Sequence, residues 1–313
     1  MINFRFHVVS LVGIFLALAL GVVIGAGVVD RGVVDTLNSR LDQVENRSAR
    51  IKNENSALSD QADELGGALA SVEPYVVDGR LSGEDVGIVA VRGLDEDQVK
   101  RVAAAAVAAG ANVTGILWIE AKWKISDDAT TKALATAVGD PNRKGAALRT
   151  AAWKNVADRL ARPGIDASTN AGDLLSVLES DGFVSFEAIG TRDTLGTFPG
   201  RGASLVLAVG EQGDVPSKDV IMPATSAIVS ARISLVVADA WQATKRSPNR
   251  GDALAELRAD ALARTVSTVD DLDRPQGPLT IALALSGLLD APAVVGHYGY
   301  GSDTKPLPEF ARP

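Results

Sequence analysis

From Val8 to Val29 the chain is apolar without interruption: VVSLVGIFLALALGVVIGAGVV carries no charge, and Ser10 is its only polar side chain. A helix rises about 1.5 Å per residue, so roughly twenty such residues cross the hydrocarbon core of a bilayer. The stretch predicts a transmembrane helix over residues 8–29. Gly13, Ala17, Gly21 and Gly25 recur every fourth position, which lines one helix face with small residues and lets two backbones approach. The period then changes. Leu37, Val44, Ile51, Leu58, Leu65 and Val72 alternate with Leu41, Ser48, Asn55, Ala62 and Leu69 at spacings of four and three. This heptad pattern predicts a coiled coil over residues 36–73, ended by Pro74. The first set occupies d and the second a; an a-position asparagine such as Asn55 fixes register and strand number at some cost in stability. Gly66 and Gly67 weaken the last turns. Together the small face and the seam predict a homodimer. Its contacts fall at Gly13, Ala17, Gly21 and Gly25, then at Leu37, Leu41, Val44, Ile51, Asn55, Leu58 and Leu65. The competing arrangement for the heptads is a helix folded back on its own domain.

Beyond residue 75 the pattern is that of alternating strands and helices, predicting an α/β domain over residues 76–302. VGIVAVR at 86–92 is an apolar strand, residues 95–109 a helix with an acidic first turn closed by Gly110, and VTGILWIEA at 113–121 a second strand. This is a βαβ unit, which requires parallel strands. Helices are expected at 129–138, 146–160 and 173–180, strands at 183–189, 204–209 and 233–238, an amphipathic helix at 254–266 and a buried strand, LTIALAL, at 279–285. Continuous apolar strands between helices imply a mainly parallel sheet covered on both faces. Residues 303–313 hold three prolines and predict a flexible tail.

Charge sets the orientation. Arg5 lies in the short tail of residues 1–7, whereas beyond the apolar run Arg31 is balanced by Asp30 and Asp35. The positive-inside bias puts the tail in the cytoplasm and the α/β domain outside it, making a single-pass membrane protein. A cleaved signal peptide with its site at Gly25-Ala26-Gly27 is the alternative. The run exceeds the usual apolar region of about 7–15 residues, and the heptads follow without a gap, which favours retention. The net charge of -8 argues against nucleic acid and against broad adhesion to anionic lipid. The absence of cysteine excludes disulfides and thiolate metal sites.

No nucleotide-binding glycine loop follows any strand, and G-x-S-x-G is absent. The only histidines are His7 and His297, so no catalytic residues and no enzyme activity are expected. Two clusters remain. In Ser267-Thr268-Val269-Asp270-Asp271-Leu272-Asp273, Asp270 and Asp273 are candidate ligands for a divalent cation, although acids and hydroxyls in such a run more often cap helix ends and satisfy loop amides. In Gly296-His297-Tyr298-Gly299-Tyr300-Gly301, His297 is a candidate metal ligand, and a hydrogen-bonded loop histidine is the plainer reading. No cofactor follows from these residues.

The opening Phe4-Arg5-Phe6-His7-Val8-Val9-Ser10-Leu11 with Phe15 to Gly25, and the acidic Ser267–Asp273 segment with Gly277, Thr280 and Gly296-His297-Tyr298-Gly299, resemble the mycobacterial copper transport protein B family of actinobacterial envelope proteins. The order of anchor, heptads and α/β domain matches over nearly the whole chain. The resemblance implies copper transport or homeostasis by efflux. It also implies a part in cell separation, with a membrane-protein partner in the cell envelope acting on peptidoglycan hydrolases. It supplies no catalytic residues. Copper enters only through this resemblance: copper(I) sites are built from sulfur, and beyond the initiator the only methionine is Met222. One membrane helix forms no pore without oligomerising, so the copper role it implies is indirect or assembly-dependent.

Overall fold

The structure, a computed structural model, describes residues 4–162, 172–190, 193–200, 202–245 and 247–309, with side chains for all of these except 4 and 26–34. The chain divides into two compact units, residues 1–65 and 66–313.

The first unit is helical from Phe4 and belongs to α1 (Phe4–Val77). Arg5–Gly25 is long and apolar enough to cross a membrane. The side chains of residues 26–29, at the far end of the expected span, lie outside the described ones, as do residues 1–3 of the expected tail. Leu37, Leu41, Val44, Ile51, Leu58 and Leu65 are exposed along the helix. The helix does not stop at Pro74 as the heptads predict. Proline lacks an N–H and fixes φ, but in a last turn it forfeits only one bond. The helix closes at Val77, which is buried, with Arg80 N–H donating to the Val77 carbonyl at 3.0 Å.

The second unit is the mixed α/β domain read from the sequence. Its strands are β1 (Asp85–Val91), β2 (Asn112–Ile119), β3 (Val184–Glu187), β4 (Ser204–Gly210), β5 (Leu235–Ala240), β6 (Ser267–Val269) and β7 (His297–Tyr298). They form one sheet in the order β3-β2-β1-β4-β5-β6-β7. All neighbouring pairs are parallel except β2 with the edge strand β3. The apolar runs are continuous because successive side chains feed opposite cores. Val89 and Val91 of β1 enter one core with Leu205 and Leu207 of β4; Ile88 and Ala90 enter the other with Val206 and Ala208. The helices are α2 (Glu96–Ala108), α3 (Asp128–Ala137), α4 (Gly145–Leu160), α5 (Leu174–Ser180), α6 (Ser217–Ser230), α7 (Ala255–Ala259) and α8 (Gly277–Leu289). α2 and α8 cover one face, α4 and α6 the other.

Several elements differ from the sequence reading. The run 279–285 is not a strand; it lies inside α8, where ten residues from Gly277 to Leu288 are buried. A helix buried nearly all round shows no amphipathic period, so an apolar heptamer cannot be told from a buried strand by pattern alone. The distinguishing signal is Pro278 at the first turn, a position that suits a helix start. The amphipathic helix expected at 254–266 breaks into α7 flanked by 3₁₀ turns at Asp252–Leu254 and Ala261–Arg264. Asp260 causes the break: its backbone is extended and its carboxylate accepts from Leu262 N–H at 2.9 Å. Helix α6 is absent from the sequence reading, because Pro223 sits inside it. The hydroxyl-rich segment and the His-Tyr pair, read as loops, supply β6 and β7. Of the expected tail, Lys305 pairs with β7, its N–H donating to the His297 carbonyl at 2.9 Å; residues 310–313 lie outside the described ones.

Candidate functional site

Open α/β sheets take ligands beyond the carboxyl ends of their strands, at the point where the strand order reverses. Here that point lies between β1 and β4. Chain fills it. Asp214 N–H donates to the Arg92 carbonyl at 2.6 Å, joining the loops that follow the two strands. Gly93, at φ +95, lies so close that a Cβ would stand 2.8 Å from the Gln212 carbonyl oxygen and 2.9 Å from Asp214 N. The backbones meet where a dinucleotide's phosphates would need room.

The polar chemistry gathers farther along the same edge, beyond β5, β6 and β7. Asp270 follows β6 directly and is fully buried. Its carboxylate accepts from Arg258 Nη2 at 2.9 Å, from Tyr300 N–H at 2.8 Å and from Gly301 N–H at 3.2 Å. Gly299, at φ +121, and Gly301 allow this wrap: a Cβ on either would collide with the Asp270 carboxylate. The glycines around His297 are thus accounted for by a backbone cradle around one acid. Asp273 is held by Arg250 in a two-pronged pair, 2.6 Å from Nη1 and 2.7 Å from Nη2, and accepts from Trp241 N–H at 3.2 Å. Arg250 also donates to the Asp270 carbonyl at 2.6 Å and lies over the Trp241 ring at 4.6 Å. Burial alone would lower the Arg250 pKa, but its bonds to Asp273 and the surrounding acidic charge hold it above the ordinary value.

His297 joins the same network. Arg258 Nε donates to Thr268 Oγ1 at 2.9 Å, which leaves the hydroxyl proton to bridge to His297 Nδ1 at 3.0 Å. Burial, with the Arg258 charge, pushes the imidazole pKa down. We assign the neutral ring with its proton on Nε2 on these grounds. The structure therefore brings Asp270, Asp273 and His297 to one edge, but sets each carboxylate against an arginine and the histidine against a hydroxyl. Among the described residues no group of three or more His, Cys, Asp or Glu is placed to hold a metal ion.

Sequence reasoning missed three members of the network. Arg250 and Arg258 come from a segment without a motif. Asp239, the only charge in β5, lies one residue from the strand's end, and that solitary acid in an apolar run was the available signal. Asp239 and Asp271 are buried, and neither carboxylate has a hydrogen-bond partner. Burial pushes both from the usual 3.8 to about 7; Asp273 and Asp270 add to the push on Asp239, and Asp270 to that on Asp271.

Comparison with known proteins places the chain in a family. Residues 1–308 match the family described as copper transport outer membrane protein, MctB. A protein named copper transporter MctB from Mycobacterium tuberculosis is 28% identical over 96% of this chain and 97% of its own length. The protein of the same name from Mycobacterium leprae is also 28% identical, over 96% and 97%.

The orphaned carboxylates predict a pH dependence. An acid whose pKa is raised on folding contributes stability that is full below its unfolded value and is lost as pH rises through the folded one. For Asp239 that window runs from 3.8 to about 7. Asp239→Asn removes the ionisation, so near pH 4 the variant and the parent should unfold at similar urea concentrations. At pH 8 the variant should be more stable by a few kcal/mol, because each tenfold change in proton affinity is worth about 1.4 kcal/mol. An equal difference at both pH values would show that Asp239 titrates normally.

Proposed function

Because this chain belongs to the MctB family of copper transport outer membrane proteins, we propose that it serves copper homeostasis from a membrane anchor, as a coiled-coil dimer whose α/β domain stands outside the cytoplasm. Family membership over residues 1–308 carries the copper assignment. The apolar Arg5–Gly25 segment supports the anchor, and Arg5 before it, against the balanced Asp30, Arg31 and Asp35 after it, supports the orientation. Retention of that helix in the mature protein belongs to the same reading. The head acts without catalysis, by binding partners.

One observation favours a second reading, a scaffold that controls cell-wall hydrolases during cell separation. Copper(I) wants sulfur and copper(II) imidazole, yet the chain holds no cysteine, two methionines and two histidines. Those of its acids gathered at the sheet edge are paired with arginines or buried without hydrogen-bond partners. Such a donor set makes no direct copper site, which a protein with a mechanical task does not need. A deletion strain complemented by the full chain, fused at its C-terminus to a reporter active only outside the cytoplasm, separates the readings. The copper reading expects copper hypersensitivity with normal septa, restored by an active reporter fusion. Septal defects at ordinary copper tolerance would favour the scaffold, and a silent reporter on a stable fusion would reverse the orientation.

The dimer rests on the exposed stripe from Leu37 to Leu65 and on Gly13, Ala17, Gly21 and Gly25. In a parallel dimer two Asn55 amides face each other and can hydrogen-bond; out of register each is left unpaired at a cost of about 1–3 kcal/mol. Asn55→Leu should strengthen association while loosening stoichiometry, and Asn55→Asp should weaken it at neutral pH by facing two carboxylates. Sedimentation equilibrium on residues 30–75 checks this. Three peptides that associate equally, or a native peptide that stays monomeric, would remove Asn55 from the seam.

A further inference from the structure

A cavity of about 610 Å³ lies beside the loop after β4 and the first turn of α6. Two lysines, Lys124 and Lys218, four acids, Glu211, Asp214, Asp252 and Glu256, and two serines, Ser217 and Ser247, line it. Of the six charged side chains, Asp252 accepts from Asn249 N–H at 2.8 Å, and the other five make no hydrogen bond or ion pair with a described residue. Asp219, the acid in the first turn of α6, is instead taken by Arg149 at 3.2 Å. The helix starts after Pro216, and no side chain caps its first amides. Ser217 and Ser247 are each more than nine-tenths buried, and neither hydroxyl has a partner. A folded protein seldom leaves buried hydroxyls unpaired, and each unmade bond costs stability.

These features constrain the ligand. Free helix amides and two lysines attract an anionic group. Glu211, Asp214 and Glu256, which outnumber the lysines, would repel a ligand that is only anionic, and the lysines would oppose one that is only cationic. A molecule bearing both charges satisfies all of them. We propose that this cavity binds a small zwitterion, a free amino acid or a short peptide. Its carboxylate meets the start of α6 with Lys218 and the serine hydroxyls, and its ammonium meets Glu211 and Glu256. The site borders the Asp270 network at Asp252 and does not rest on the copper reading.

Calorimetry and thermal unfolding of the full chain in detergent micelles test this. The probes are the common amino acids and dialanine, with acetate and ethylammonium as single-charge controls. At least one amino acid or the dipeptide should bind saturably at millimolar concentration and raise the unfolding temperature, while the controls do neither. Lys218→Glu and Glu256→Lys should each weaken that binding about tenfold or more, as loss of a charge-assisted hydrogen bond does. Ser217→Ala should weaken it less. Tryptophan fluorescence confirms that each variant is folded. The proposal fails if no zwitterion in the set binds saturably, or if acetate binds as well as the amino acids. It also fails if folded Lys218→Glu and Glu256→Lys variants bind as tightly as the parent.

Discussion

A carboxylate with no access to water must be surrounded by donors or give up its charge. The carboxyl edge of the domain is built around that constraint at Asp270. Arg258 reaches it from α7, and the amides of Tyr300 and Gly301 reach it from the turn after β7. Arg250 closes the arrangement by taking the Asp270 carbonyl and the Asp273 carboxylate together. The segment of residues 250–258 and the turn after β7 are thereby fixed to the end of β6, a strand of three residues with little pairing of its own. Arg258 lies in α7 just before the break that Asp260 imposes.

The four acids of this edge divide by their partners. Asp270 and Asp273 are each paired with an arginine; Asp239 and Asp271 have none and hold their protons up to about pH 7. The arginines paired with Asp270 and Asp273 leave Asp239 and Asp271 buried without a partner, and burial favours their protonated forms. The arrangement explains why an acidic motif with metal-ligand spacing holds no open ligand shell: its oxygens already accept hydrogen bonds, or are neutral and enclosed.

Much of the architecture is legible in the sequence, and the losses have physical causes. The apolar N-terminal helix, the βαβ opening and the parallel sheet follow from runs such as 8–29, 86–92 and 204–209. Leu279–Leu285 misleads because burial on all sides erases the period that separates helix from strand. α6 is hidden by Pro223, and β6 by hydroxyls that look like caps. The site divides in the same way. Asp270, Asp273 and His297 stand out as a motif, whereas Arg250 and Arg258, which decide what those residues do, are ordinary surface-type residues until the fold brings them inward. Partner identity is tertiary information, and local pattern does not hold it.

The central claim is that Asp270 and Arg258 form one structural unit. A double-mutant cycle measures it directly, using reversible urea unfolding of the full chain followed by its four tryptophans, all of which lie in the domain. Arg258→Met alone strands a buried carboxylate and should cost about 3–5 kcal/mol. With Asp270→Asn also in place, the loss should fall short of the sum of the two single losses by about 1–3 kcal/mol. Losses that add to within about 0.5 kcal/mol would contradict the account, because the two side chains would then contribute independently.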